Sequence, residues 1–289
     1  MAGKESAVDD QEPLSVLFAL HDKFDFMDFA GPLESFHSAL HELDDPSTKA
    51  FDVTVAGGEP KVISEQGVYV GSQISFKEAY EQLDNFDILV VVGGNSSEIL
   101  KTRSEPLGLI TKFAELQKKT PTRERTLLSI CTGALFLAEL GILAGLSGTT
   151  HPDFMTAFEN LCSHSAVRDL DERTDVIEDA RYVVNNLRFD LGDADENPYI
   201  RRKSDERRPS NARKGSISLK GSTRRESIVR RAAMRLGGLR VVTSGGVSAG
   251  IDAALYLISA LVSDDSANDV AKRLQWTRTK GVVVNGLDV

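Results

Sequence analysis

The chain has 289 residues, 41% of them hydrophobic, and a formal net charge of −9. That is apolar material enough for a packed core, and the negative balance argues against nonspecific nucleic-acid binding by the chain as a whole. Only Cys131 and Cys162 are present, which excludes a disulfide framework and makes a reducing cytoplasm the expected home. The longest apolar runs fall well short of the ~20 residues that span a bilayer, and the first dozen residues lack the apolar core of a signal peptide.

Residues 1–13 are polar and acidic and read as a disordered tail. Leu14 to Leu20 is a compact apolar run, the first expected strand. HDKFDFMDFAGPLESF follows, with Asp28 ahead of Gly31-Pro32 and a helix carrying Leu33, Phe36, Leu40 and Leu43 on one face. Pro32 suits a first helical turn, so Asp28 has two readings: a helix cap, or a carboxylate in the loop at the carboxyl end of a strand, where open α/β sheets place their sites. Asp22 and Asp25 read as solvated. Phe51 to Ala56 is a second strand. Residues 61–76 are strand-like but interrupted by Gly67 and Gly71, which predicts a bent or bulged segment. Asp87 to Val92 is a central strand that ends in Gly93-Gly94-Asn95, and Leu107 to Leu116 an amphipathic helix.

The stretch TLLSICTGALFLAELGILAGLSGTTH, Thr126 to His151, is the focus of the chain. Leu127, Leu128 and Ile130 read as a buried strand, and Ala134 to Leu143 as an almost wholly buried helix, with Cys131 at the corner and Gly133 relieving the bend. This is the pattern of a nucleophile elbow with sulfur in place of oxygen. Unpaired amides and the positive end of the helix are expected to favour a thiolate and to receive negative charge on a substrate; the alternative is a small buried cysteine packed under a helix. His151 follows 20 residues after Cys131, beyond that helix, where it either orients the thiol, acts as base, or simply satisfies a strand end. No histidine has companions at metal-ligand spacing, so no metal is expected. Cys162 reads as structural.

Thr174 to Asn186 and Leu239 to Ser244 read as halves of an antiparallel hairpin whose turn has been expanded, at residues 187–237, into a basic, disordered insertion projecting away from Cys131. Between Asn185 and Gly238 lie 14 of the basic and 7 of the acidic residues, a local +7, leaving 20 basic and 36 acidic elsewhere, or −16. RRKS, RRPS, RKGS and RRES repeat there and end on Ser204, Ser210, Ser216 and Ser227. Basic residues ahead of a serine resemble targets of basophilic kinases, and four phosphates would bring the local charge to roughly zero; the alternative is a solvated loop that is never modified. TSGGVSAGID, from Thr243 to Asp252, is a Gly-rich turn into a helix that lacks the lysine of a phosphate-binding loop. Residues 267–275 form another helix, and 281–289 are a short apolar tail able to pair or dock.

MDFAGP around Asp28, VVVGGNS with Gly93 and Gly94, SICTGA from Ser129 to Ala134, GTTH ending on His151, and TSGGVSAGID together resemble the ThiJ/PfpI superfamily, and within it most of all the isonitrile hydratase branch. The likeness runs from about residue 14 to about residue 275, apart from the insertion. It implies an α/β class I glutamine-amidotransferase-like fold: three layers, a doubly wound, mostly parallel sheet with flanking helices and a nucleophile elbow. Residues 14–289 are accordingly expected to form one domain. The resemblance places Asp28 opposite Cys131, gives backbone at Gly94 a part in the oxyanion hole, has Thr132 position the intermediate through its amide and hydroxyl, and lets Ser244 and Gly245 wall the pocket beside Gly133 and His151. A homodimer is expected because relatives pair, with a small-molecule substrate, no membrane, no nucleic acid and no cofactor.

The reaction so implied is hydration of an isonitrile to the N-substituted formamide. The isonitrile carbon accepts a nucleophile only if a proton arrives as the bond forms, here placed on nitrogen; a Cys131 thiolate and an Asp28 acid supply the pair. Glyoxalase- or deglycase-type chemistry on α-oxoaldehydes is the enzymatic alternative, although it resembles branches with a glutamate opposite the cysteine, and Glu34 lies well inside the following helix. A glutaminase lacks its late His-x-Glu. From another class, a noncatalytic redox-sensing or regulatory module remains open.

Overall fold

Along the central strands alternate residues belong to two different hydrophobic clusters. In the computed structural model, which describes residues 12–120, 122–190, 201–202 and 236–285, Val16, Phe18 and Leu20 pack into one cluster and Leu17 and Ala19 into the other. Val90 and Leu128 follow the first set, and Leu89 and Leu127 the second. Strands apolar on both faces must be covered on both, which is why their sequence shows continuous runs.

The strands are β1 (Leu14–Leu20), β2 (Phe51–Gly57), β3 (Lys61–Ile63), β4 (Tyr69–Gly71), β5 (Ile74–Ser75), β6 (Ile88–Val91), β7 (Glu124–Ser129), β8 (Ser147–Gly148), β9 (Asp175–Val176), β10 (Tyr182–Asp190), β11 (Arg201–Arg202), β12 (Leu236–Ser244) and β13 (Val282–Asn285). The helices are α1 (Phe26–Ser38), α2 (Phe76–Glu81), α3 (Ser96–Thr102), α4 (Leu107–Lys119), α5 (Ala134–Glu139), α6 (Met155–Asp169), α7 (Ala249–Leu261) and α8 (Asp264–Arg273). The main sheet runs β11-β10-β12-β7-β6-β1-β2-β5, with β13 also paired to β10. From β12 to β5 every pairing is parallel; β10 is antiparallel to β12. Buried residues of α1, α7 and α8 join the first cluster, and those of α2 to α6 the second. The expected three-layer α/β architecture is the observed one.

Several boundaries move. Helix α1 starts at Phe26 with Asp25 as its N-cap, the Asp25 carboxylate accepting from Met27 N–H at 3.2 Å. Asp28 therefore sits in the first turn rather than in a preceding loop, and Pro32 is inside the helix; Asp25 is a cap rather than an idle solvated carboxylate. Because the helix starts at Phe26, Pro32 falls in its second turn, where it has no N–H to offer the carbonyl of Asp28 four residues back. The helix ends at Ser38, which leaves Leu40 and Leu43 outside it, Leu40 forming a bridge with Lys49 instead. Residues 61–71 form a small hairpin, β3 with β4, instead of one bent strand; Gly67, at φ +80°, makes its turn. The elbow helix α5 stops at Glu139, with Gly141 in the left-handed region just beyond.

The predicted antiparallel hairpin is present, Tyr182 pairing with Ser244 and Asp190 with Leu236. Its first strand begins at Tyr182, while residues 175–176 pair with β8 instead. The strands also run past the expected edges of the insertion, through residues 187–190 and 236–237. Ser204, Ser210, Ser216 and Ser227 lie outside the described residues, as do residues 1–11 of the tail. The C-terminal segment pairs as β13. Among the described residues no helix is long and apolar enough to cross a membrane.

Candidate active site

Four consecutive parallel strands, β12, β7, β6 and β1, end side by side, and each delivers one part of the site. Strand β7 leads through Ile130 to Cys131, whose φ of +56° is the left-handed corner of the elbow. A non-glycine residue there is held at a cost by its surroundings, here by hydrogen bonds on every side. Cys131 N–H donates to Gly245 O at 3.1 Å, Thr150 Oγ1 donates to Cys131 O at 2.9 Å, and Ile130 N–H donates to Val91 O at 2.9 Å. A Cβ on Gly133 would lie 2.8 Å from Val91 O, so only glycine lets the turn descend onto β6.

Asp28 comes from α1, after β1. Its side chain is fully buried; Oδ2 accepts from Gly93 N–H at 3.0 Å, and Oδ1 has no partner at hydrogen-bonding geometry among the described residues. The Cys131 thiol is near enough to act on that carboxyl. Burial, with the Asp25 charge next, pushes Asp28 up to about 8, against the opposing pull of Gly93 N–H and the thiol. Burial, with Asp28 next, likewise pushes Cys131 up to about 12, against the opposing pull of the nearby Val247 and Thr132 amides. Burial therefore works against the expected resting thiolate. The elbow helix is only six residues long, the amides of Cys131 and Gly133 are engaged by Gly245 O and Ile130 O, and desolvation outweighs the two amides that remain. Burial thus disfavours both charged forms, and the carboxyl and the thiol titrate as a coupled pair.

Thr132 is buried. Its Oγ1 accepts from Gly94 N–H at 3.0 Å, and its own N–H faces the sulfur. The Gly94 amide is therefore occupied, and the amide from this loop that reaches the reactive pair is that of Gly93. Gly94 serves close packing: at φ +95°, a Cβ there would lie 2.4 Å from Lys23 O. Gly245 contributes its carbonyl to Cys131 and its N–H to Arg181 O, making it an anchor of the elbow rather than an open wall. Ser244 is fully buried at the end of β12, its hydroxyl without a partner among the described residues. His151 caps the turn at residues 152–154, Nδ1 accepting from Asp153 N–H at 3.2 Å, and its ring lies against Gly246, where a Cβ would come within 2.5 Å of Cδ2. It touches the loop that carries Val247 and is not among the groups acting on the thiol.

Sequence reasoning missed the Val247 amide. Val247 sits at φ +31°, a rare conformation for a β-branched residue, and only the motif Gly-Gly-Val-Ser hinted at a tight turn there. Among the described residues no group of three His, Cys, Asp or Glu could hold a metal ion.

A model of the DJ-1/PfpI family matches residues 14–184. The chain belongs to the DJ-1/PfpI family. Within it, a protein of Pyrococcus abyssi (strain GE5 / Orsay) named a deglycase is 29% identical over 140 residues, covering 48% of this chain and 73% of its own. DJ-1 protein homolog F of Arabidopsis thaliana is 29% identical over 105 residues, 35% of this chain and 25% of its own. Of the solved structures, Drosophila melanogaster DJ-1beta aligns with a TM-score of 0.53 at 18% identity over 92% of this chain and all of its own. A ThiJ/PfpI family protein from Pseudomonas syringae aligns with 0.56 at 14% over 97% of this chain and 82% of its own. At that identity the structures speak for the fold.

Proposed function

We propose that this DJ-1/PfpI protein hydrates an isonitrile to its N-substituted formamide through Cys131 and Asp28. The observation that carries the reading is a fully buried Asp28 carboxyl, raised by desolvation and with Oδ1 unpartnered among the described residues, beside the buried Cys131 thiol. Such a pair suits a substrate that must receive a nucleophile and a hydrogen together.

The sulfur attacks the terminal carbon of R–N≡C. Asp28 delivers its proton to the substrate and takes the thiol proton in return, so the carboxyl ends as it began. The product is a thioimidate, R–N=CH–S–Cys131, with the added hydrogen on the former terminal carbon rather than finally on nitrogen. Water then adds to that carbon, its proton relayed by Asp28 to nitrogen. Collapse breaks the C–S bond, returns a proton to sulfur and releases R–NH–CHO. Oδ1, the oxygen without a partner, is the natural carrier of the relayed proton, since Oδ2 is held as an acceptor by Gly93. Thr132 N–H and Val247 N–H steady the sulfur while it bears charge. Cys131 is only 5% exposed. A substrate must therefore present a slender reacting atom, as the terminal carbon of a linear isonitrile is.

The second reading is glyoxalase- or deglycase-type chemistry on α-oxoaldehydes, favoured by the relative named a deglycase. Against it, Glu34 is exposed on α1 and bonded to Ser38, far from a role facing the sulfur. Purified protein given an alkyl or aryl isonitrile in one assay and methylglyoxal in another separates the two. Formamide in the first is the expected outcome. Lactate in the second with no formamide in the first replaces this proposal with the alternative, and product in neither leaves a noncatalytic role. Residues 14–289 acting as one unit, and a homodimer, complete the proposal.

A further inference from the structure

The turn that carries the Val247 amide is held from outside the site. Strand β12 ends at Ser244, and residues 245–248 carry the chain into α7. Gly245 N–H donates to Arg181 O at 2.9 Å, so the main chain of Arg181 fixes the start of the turn. The Arg181 side chain fixes its end: Nη2 donates to Ser248 O at 3.1 Å, with Nη1 at 3.4 Å from Ser248 Oγ. The guanidinium is itself anchored, Nε and Nη2 donating to Asp252 Oδ2 at 2.9 and 2.6 Å. The other oxygen of Asp252 is filled by Trp276 Nε1 at 3.0 Å and Thr279 N–H at 2.8 Å. Asp252 is buried, and a planar guanidinium is the one side-chain cation able to meet it and the turn at once. On the opposite side the His151 ring closes against Gly246. Between these supports Val247 is kept at φ +31°, a strained conformation that persists only where its surroundings over-determine it.

We infer that Arg181 is a positioning residue for the Cys131 sulfur: its carbonyl and guanidinium grip both ends of the Gly245–Ser248 turn, whose Gly245 O holds the Cys131 amide and whose Val247 amide lies beside Sγ. One arginine thus governs the elbow backbone and one of the two amides beside the sulfur. The inference deepens the proposed role of Cys131 as the reacting group and rests on it, yet its test needs no isonitrile.

A comparison clamp exists in the same molecule. Arg123, at the other end of the sheet, donates to Asp84 O, Asn85 O and Asp87 Oδ1 and secures the turn before β6 in the same manner, away from the thiol. The experiment is alkylation of the full chain by iodoacetamide across pH 6.5 to 10 (about), with peptide mass spectrometry resolving Cys131 from Cys162. In Arg181→Lys, shown folded by a cooperative melt, Cys131 is expected to alkylate about tenfold more slowly at neutral pH with its rate–pH profile displaced upward, as loss of a hydrogen bond to a charged sulfur requires. Asp252→Asn, which keeps an oxygen for Trp276 and Thr279 and weakens only the anchor, shifts the profile the same way by less. Asp28 and Asp25 also act on the sulfur, and neither variant touches them. Arg123→Lys is expected to leave the Cys131 profile at wild type. An unmoved profile in both Arg181→Lys and Asp252→Asn overturns the inference, as does faster alkylation at every pH or an equal slowing in Arg123→Lys.

Discussion

Cys131 and Cys162 are both buried and both free, and burial raises both thiols; what separates them is everything else. Cys162 lies inside α6, its carbonyl accepting from Ser165 Oγ at 3.0 Å within an ordinary helical turn. Cys131 sits at a left-handed corner beside two amides and a buried carboxyl. Low exposure and a raised thiol pKa therefore do not mark a reactive cysteine. The strained backbone and the acid beside it do, because neither is needed for packing and both suit a sulfur that must give up a proton as it bonds.

The sharpest separation should come from removing each sulfur. Cys131→Ala is expected to lower isonitrile hydration on the order of 10³-fold or more, measured as formamide formed, since it removes the atom that bonds to substrate. Cys162→Ala should leave turnover at wild type and lower stability by about 1 kcal/mol in a urea titration. Equal losses of turnover would erase the distinction between the two environments.

Next in size is the carboxyl that only Cys131 has. Asp28→Asn should cost about 10²- to 10⁴-fold in turnover through loss of the proton relay. It should also change stability in the opposite direction. Folded Asp28 is raised to about 8, above its ordinary carboxylate range, so its contribution is fully present at pH below about 4 and is lost as pH rises through about 8. Above that point wild type buries a charge that asparagine does not, and Asp28→Asn should melt higher than wild type near pH 9. Wild-type turnover should decline over the same rise, as the relay acid loses its proton. A melting temperature for Asp28→Asn below wild type at pH 9 would mean that the carboxylate is stabilised where it lies. Smallest is His151→Ala, which removes a ring packed on Gly246 and the acceptor for Asp153 N–H; a loss of about 1 kcal/mol in stability and a few-fold in turnover is expected.

The elbow was legible because its signal is local: an apolar strand, Cys131, Gly133 and an apolar helix within a few residues. The layered sheet was legible for a related reason, since short β-branched apolar runs such as Ile88 to Val92, too short for a helix, read as strands covered on both faces. Asp28 was found as a residue but misplaced by the assumption that Pro32 opens the helix; the pattern of an acid at Asp25 and another at Asp28, three positions apart ahead of an apolar face, was the available sign of a cap followed by a first turn. What stayed hidden is what the chain supplies as backbone or over long separations. The Val247 amide has no side-chain signature, the choice between Gly93 and Gly94 depends on the direction of a single N–H, and Arg181 meets Asp252 71 residues further on. The desolvation that opposes a thiolate at Cys131 stayed hidden too, because it is set by packing that no motif displays.

The most direct test of the central claim is a rapid acid quench of wild-type protein mixed with an aryl isonitrile, followed by peptide mass spectrometry. The Cys131 peptide is predicted to carry the added mass of one isonitrile, with formamide appearing in solution and the Cys162 peptide unmodified. Formamide produced while Cys131 never carries the adduct, in wild type and in Asp28→Asn alike, would contradict covalent hydration at this site.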